Sequence, residues 1–84
     1  MTIKEIIKEK FEEETGYKMS DYVQKYVSIN LKKYGNKITI RALAVTTEVF
    51  KSGAFSNPYD FVKYFNATAR NMKYQEEQEE WEEI

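Results

Sequence analysis

The clearest helical signal in the chain is residues 57–72, NPYDFVKYFNATARNM. Asn57 can cap a helix that begins at Pro58, because asparagine accepts from free backbone amides and proline has no amide to leave unpaired. Asp60 stands near the positive end of this helix, where a carboxylate is favoured. We therefore predict a helix from Pro58 that continues towards Glu80. Its apolar residues recur at helical spacing along one side: Phe61, Val62, Phe65, Ala69 and Met72.

The N-terminal segment predicts a second helix with a defined start and stop. Thr2 and Glu5 have the spacing of a capping box, in which each side chain accepts from the other residue's backbone amide. Gly16 can take the left-handed conformation that ends a helix. The apolar residues between them again recur at helical spacing: Ile3, Ile6, Ile7 and Phe11.

Two more helices are predicted in the middle of the chain. One runs from Ser20 to Gly35. The next starts at a Thr39 cap and ends at Lys51, before Gly53. Each therefore has a polar N-terminal cap and a glycine after its last turn, which are the start and stop signals of a helix.

The fold class that follows is all-α, with four helices joined by short connections. Residues 36–40 alternate polar and β-branched side chains, as a short strand does. Because no partner strand is visible, an extended connector is the favoured interpretation. We expect one domain over residues 1–74 and an acidic tail, helical or extended, over residues 75–84. A winged-helix variant stays open, although no hairpin signal for a wing is present.

The composition removes several classes of function. The chain has 84 residues with no cysteine and no histidine, so it has no disulfide framework, zinc finger, thiol nucleophile or imidazole base. Its 3 glycines stand singly, which excludes a glycine-rich phosphate loop. We expect no enzymatic activity, no cofactor and no metal site.

The sequence also lacks the apolar runs expected of a membrane span or a signal peptide. The longest apolar run, residues 42–45, is far shorter than the roughly 20 residues of a membrane span. The N-terminus alternates isoleucine with lysine and glutamate, unlike a signal peptide. We expect a cytoplasmic protein with no membrane partner. Richness in Lys, Ile, Tyr and Asn is typical of AT-rich genomes, whose small proteins are common on phages, plasmids and other mobile elements.

The charges are unevenly distributed although the net charge is −1. Residues 15–74 hold seven more basic than acidic side chains, and residues 75–84 hold six glutamates and no base. All 7 tyrosines lie in the basic part. Lysines bind phosphates and aromatic rings stack on unpaired bases, which is the combination that single-stranded nucleic acid requires. The alternative is that the tyrosines fill the core and the lysines face solvent.

The predicted nucleic-acid interface lies on the second helix and the connection after it. Lys63, Arg70 and Lys73 share one side of the last helix, and a basic groove results if that side meets the second helix. The sequence does not establish that the two sides meet. The predicted phosphate-binding residues are Lys25, Lys32, Lys33, Lys37 and Arg41, with Tyr26 and Tyr34 as stacking rings.

The acidic tail has three interpretations. It can be a solvated helix extension, weakened by like charges four residues apart. It can instead cover the basic surface until nucleic acid displaces it. The third interpretation is a peptide that docks a protein partner through apolar anchors in an acidic strip. The residues of that third interpretation are Trp81, Ile84, Glu79, Glu80, Glu82 and Glu83.

The leading hypothesis is a small accessory nucleic-acid-binding protein, with single-stranded DNA favoured, that acts in DNA replication or regulation on a mobile element. Its acidic tail would dock a protein partner. The alternative is a non-enzymatic interaction module or inhibitor, of the anti-defence kind found in phages, in which residues 12–14 and the tail imitate nucleic acid. A structural subunit is third, and self-association stays open because small bundles often gain core that way.

Overall fold

Three α-helices make up the fold. The computed structural model describes the backbone of residues 1–83 and the side chains of residues 1–79. Helix α1 spans Ile3–Thr15, α2 spans Asp21–Lys51 and α3 spans Pro58–Glu83, and residues 1–83 contain no strand. The all-α class is confirmed, whereas the predicted number of four helices is wrong.

The helices begin where the capping residues predict. α1 ends at Gly16, whose φ of 75° is left-handed and whose amide donates to the Glu12 carbonyl oxygen. Each N-cap side chain accepts a hydrogen bond from the amide three residues further on, which satisfies a donor that the helix leaves free. The three bonds are Glu5 to Thr2 at 3.2 Å, Val23 to Ser20 at 3.2 Å and Asp60 to Asn57 at 2.9 Å.

The prediction fails at residues 36–40, which are helical and belong to α2. The break is confined to Gly35, whose φ of 85° and ψ of 174° lie in a region open essentially to glycine alone. Thr39 does not cap a helix, since it is fully buried within α2. Burial of Ile38 and Thr39 against the core outweighs their preference for extended backbone. A winged-helix variant would need a strand that these residues do not form.

Helix α2 bends back on itself at Gly35. A straight helix of its 31 residues would be about 46 Å long. Yet the ring of Tyr17, just before α2, lies 5.6 Å from the ring of Phe50, near its end. We call residues 21–34 the first arm and residues 36–51 the second arm.

Helix α3 packs against both arms. The amide of Asn30 on the first arm contacts that of Asn66, and Phe50 on the second arm lies 5.8 Å from Phe61. Helix α1 contacts α2, and its Ile7 faces Leu43 of the second arm across a shallow groove. No described helix has the length and apolar content needed to cross a bilayer.

The core lies where the three helices converge. Phe65 of α3 and Val27 of the first arm are fully enclosed. Nearly all the residues predicted to form the apolar side of α3 are buried, which confirms that part of the pattern. The buried hydrophobic residues are Ile7, Phe11, Met19, Val23, Val27, Ile38, Ala42, Leu43, Phe61, Val62, Phe65 and Ala69.

Candidate nucleic-acid interface

A single side-chain hydrogen bond shows how the first arm meets α3. Asn30 donates through Nδ2 to Oδ1 of Asn66 at 2.9 Å, and Asn30 is only 3% exposed. Residues three or four apart share one side of a helix. The bond therefore places the Tyr26 and Lys33 side of the first arm beside the α3 side that carries Lys63 and Arg70.

The first arm and α3 run in the same direction. Tyr59 is close enough to Tyr22 to affect the pKa of its hydroxyl, and further along both helices Asn30 bonds to Asn66. The strip of surface between them is called the seam below. Its exposed or half-exposed members are Tyr22, Tyr26, Lys33, Tyr59, Lys63 and Arg70.

Parallel helices bring the cations of the seam to similar heights. Lys33 follows Asn30 by three residues and Arg70 follows Asn66 by four. With a rise of about 1.5 Å per residue, the two lie at about the same distance beyond the amide pair. Of the basic helix sides noted in the sequence, Lys33 on the first arm therefore lies next to Lys63 and Arg70 on α3 at this seam.

The predicted phosphate-binding residues are exposed but do not all belong to the seam. Lys33 belongs to it. Lys25 precedes Asn30 by five residues and Lys32 follows it by two, so both lie more than about 130° round the helix from Asn30 and point away from α3. Lys37 and Arg41 are exposed on the second arm, beyond the bend at Gly35.

The two predicted stacking rings are packed against the core. Tyr26 and Tyr34 are half-buried. The Lys25 ammonium lies 5.9 Å from the centroid of the Tyr26 ring, and the Lys33 ammonium lies 5.3 Å from that of Tyr34. Both distances are within the range of cation–π attraction. These rings therefore help to position the lysines, and their burial limits their access to bases.

Two tyrosines outside the predicted set are more accessible on the seam. Tyr22 is 37% exposed and Tyr59 is 62% exposed. The rings of Tyr22 and Tyr26 contact edge to face at 5.1 Å. Loss of water around the hydroxyl raises the pKa of Tyr22, and neighbouring Tyr26 and Tyr59 add to the effect. The four-residue spacing of Tyr22 and Tyr26 could have signalled their contact, whereas no sequence pattern indicates that Tyr59 joins them.

The cations of the seam form no ion pair within 4.0 Å among the described side chains. The ion pairs found among the described side chains lie outside the seam, and they join Lys51 to Glu48 at 3.0 Å and Lys73 to Glu77 at 4.0 Å. Asp21 and Asp60 occupy the first turns of α2 and α3, where a carboxylate favours the helix N-terminus. Asp21 and Asp60 thus lie at helix starts and Glu48 pairs with Lys51. The seam keeps a net positive charge.

The acidic segments of the alternative hypothesis are only partly described. Glu12 accepts the Met19 amide through Oε2 at 2.9 Å, so this carboxylate holds the loop between α1 and α2. Glu79 is exposed. The remaining predicted tail residues lie outside the described side chains: Glu80, Trp81, Glu82, Glu83 and Ile84.

Metal ligands and known relatives give no further guide to the site in the part of the chain that the structure describes. No group of three or more acidic side chains there is arranged to hold a metal ion. The chain matches no family model, no curated protein and no solved structure. The function is therefore inferred from the chain's own residues.

Proposed function

We propose that this protein binds single-stranded nucleic acid along the seam and acts as a non-enzymatic accessory factor. The observation that carries the proposal is the row of cations on two adjacent helices, none of them in an ion pair among the described side chains. Such cations gain free energy by displacing the counterions condensed on a phosphate backbone. Lys33, Lys63 and Arg70 would bind phosphates.

The tyrosines favour a single strand over a duplex. Stacking on a protein ring requires a base that is free of its partner, and every base has a face that can stack. Tyr22 and Tyr59 offer exposed rings beside the cations of the seam. Tyr22 and Tyr59 therefore replace Tyr26 and Tyr34 as the proposed stacking rings.

The rest of the proposal concerns the tail and the biological setting. The tail, residues 75–84, would dock a protein partner through Trp81 and Ile84, because these are its apolar side chains among six glutamates. A role in DNA replication or regulation on a phage or other mobile element is supported by the composition alone.

Two adjacent lysines provide a matched test. Lys33 belongs to the seam and Lys32 faces away from it, and both are exposed. Lys33→Ala should weaken binding of a fluorescent oligothymidylate several-fold at low salt. It should also reduce the slope of log K against log salt by about 0.7, the loss of one phosphate contact with a single strand. Lys32→Ala should change both quantities much less.

Fluorescence anisotropy at a series of salt concentrations measures both quantities. Circular dichroism of the two variants checks that each remains folded. Equal losses for Lys32→Ala and Lys33→Ala would show that binding follows overall charge and not the seam. Affinity that does not respond to salt, or no binding at low salt, would overturn the proposal.

A further inference from the structure

The end of the molecule opposite Gly35 contains an aromatic cleft that the seam does not use. The α1–α2 loop and the α2–α3 loop meet there around a cleft of about 660 Å³. Phe11, Phe50 and Phe61 form its floor, with ring centroids 5.7–5.8 Å apart. Tyr17 and Phe55 flank them, at 5.6 Å from Phe50 and 5.7 Å from Phe61 respectively.

The cleft has the size and chemistry of a site for an aromatic side chain. Ligand pockets are typically about 300–1,000 Å³ and mainly apolar. Tyr17 is 65% exposed at one side of the cleft. The charged residues that line it are Glu14, Lys18 and Lys51, which sum to one positive charge. Lys18 lies outside the ion pairs found among the described side chains.

The chain itself carries a segment of complementary chemistry. Residues 75–84 combine Trp81 and Ile84 with six glutamates and no base. An indole ring can fill an aromatic cleft while carboxylates beside it meet lysines at the mouth, and tryptophan anchors of this kind dominate many interfaces.

The tail cannot reach the cleft of its own molecule. α3 begins at Pro58, which lines the cleft, and continues as a helix to Glu83. At a rise of about 1.5 Å per residue, Trp81 lies about 34 Å along the axis from the start of α3. Any occupant supplied by this sequence must therefore come from another copy.

We propose that the aromatic cleft of one copy receives Trp81 and the adjoining glutamates of a second copy. This names the partner of the tail in the proposed function, and it does not depend on nucleic-acid binding. The contact joins the tail end of one copy to the cleft end of another, so two copies can exchange tails in a two-fold pair or the contact can repeat into larger rings or open chains. Lys18 of the receiving copy would meet the glutamates of the tail.

The test mixes two full-length variants, each unable to self-associate through this contact. The tail donor carries Lys18→Glu and Ser56→Glu, which place two negative charges at exposed positions lining its own cleft. The cleft donor carries Trp81→Ala. Because the chain has 1 tryptophan, only the tail donor fluoresces as an indole in the mixture.

We expect the tryptophan emission of the tail donor to shift to the blue and saturate as the cleft donor is added, without nucleic acid present. Sedimentation velocity should then show a 1:1 complex, while each variant alone sediments as a monomer. A cleft donor that also carries Lys18→Glu should bind at least several-fold more weakly. The corresponding change at a distant lysine, Lys32→Glu, should have little effect.

The inference is overturned if the emission does not change on mixing and the mixture remains monomeric. It is also overturned if the complex forms equally well with Lys18→Glu in the cleft donor, since the tail would then dock elsewhere. The oligothymidylate titration is a separate measurement, so failure of either proposal leaves the other to be judged by its own result.

Discussion

The two ends of this molecule are held together by different chemistry. At the end where the loops meet, the helices join through rings, with Phe61 in contact with Phe11, Phe50 and Phe55. Towards the bend, the helix pair at the seam meets through one polar bond, from Asn30 to Asn66. The rings at the aromatic end remove apolar surface from water, whereas the amide pair depends on the direction of its hydrogen bond.

This difference indicates what each end does for the fold. Apolar burial stabilises in proportion to area and tolerates many arrangements of the rings. A buried amide pair adds little net free energy, but it strongly disfavours alternatives that leave an amide without a partner. We infer that the rings supply more of the stability than the amide pair does, and that Asn30 and Asn66 fix the register of the seam.

The largest effect is expected at the aromatic end. Phe61 is 3% exposed, and Phe61→Ala should lower the free energy of unfolding by about 3–5 kcal/mol, the usual cost of removing a buried phenylalanine ring. Tyr74→Ala is the control, because Tyr74 is exposed on α3 and should cost about 0.5 kcal/mol or less. Urea denaturation followed by circular dichroism measures both. Similar losses for the two variants would show that the rings do not dominate.

The fold could be predicted from the sequence wherever a local signal decided it. The helix caps at Thr2, Ser20 and Asn57 can be predicted because each cap bonds to an amide only three residues further along the chain. The alternation at residues 36–40 misled the prediction because burial against the core is not a local property. A glycine stop at Gly35 was visible in the sequence, but not that the helix resumes immediately after it.

The amide pair gives the next effect in size. Asn66→Ala leaves the Asn30 amide buried without its partner and should cost about 1–3 kcal/mol. Replacing both asparagines by leucine removes both polar groups, so the double variant should recover much of that loss. The same denaturation experiment gives both values. A double variant that is no more stable than Asn66→Ala would show that the apolar replacements do not fit this site.

The candidate site could be predicted only in part, for a related reason. Helical spacing showed that Lys63 and Arg70 share a side, and the structure adds that this side adjoins Lys33. Helical spacing places Lys32 on the side of the helix opposite Val23 and Val27, but that side of the first arm is turned away from α3. Contacts between helices decided which tyrosines stay accessible, and no periodicity within one helix contains that information.

The smallest effect concerns Tyr22, and it tests the seam without nucleic acid. Removal of water around its hydroxyl, together with Tyr26 and Tyr59, raises the pKa of Tyr22 above the usual value of about 10. The folded state therefore holds this proton more tightly than the unfolded state. The resulting stabilisation is complete below the unfolded pKa and is lost as the pH rises through the folded value.

In an ultraviolet titration of tyrosinate, Tyr22→Phe should remove a late-ionising group, while Tyr74→Phe should leave it in place. Tyr26→Phe should lower the pKa of Tyr22 more than Tyr59→Phe does, because Tyr26 contributes more to the rise. A titration of Tyr22 that moves more in Tyr59→Phe than in Tyr26→Phe would contradict this order.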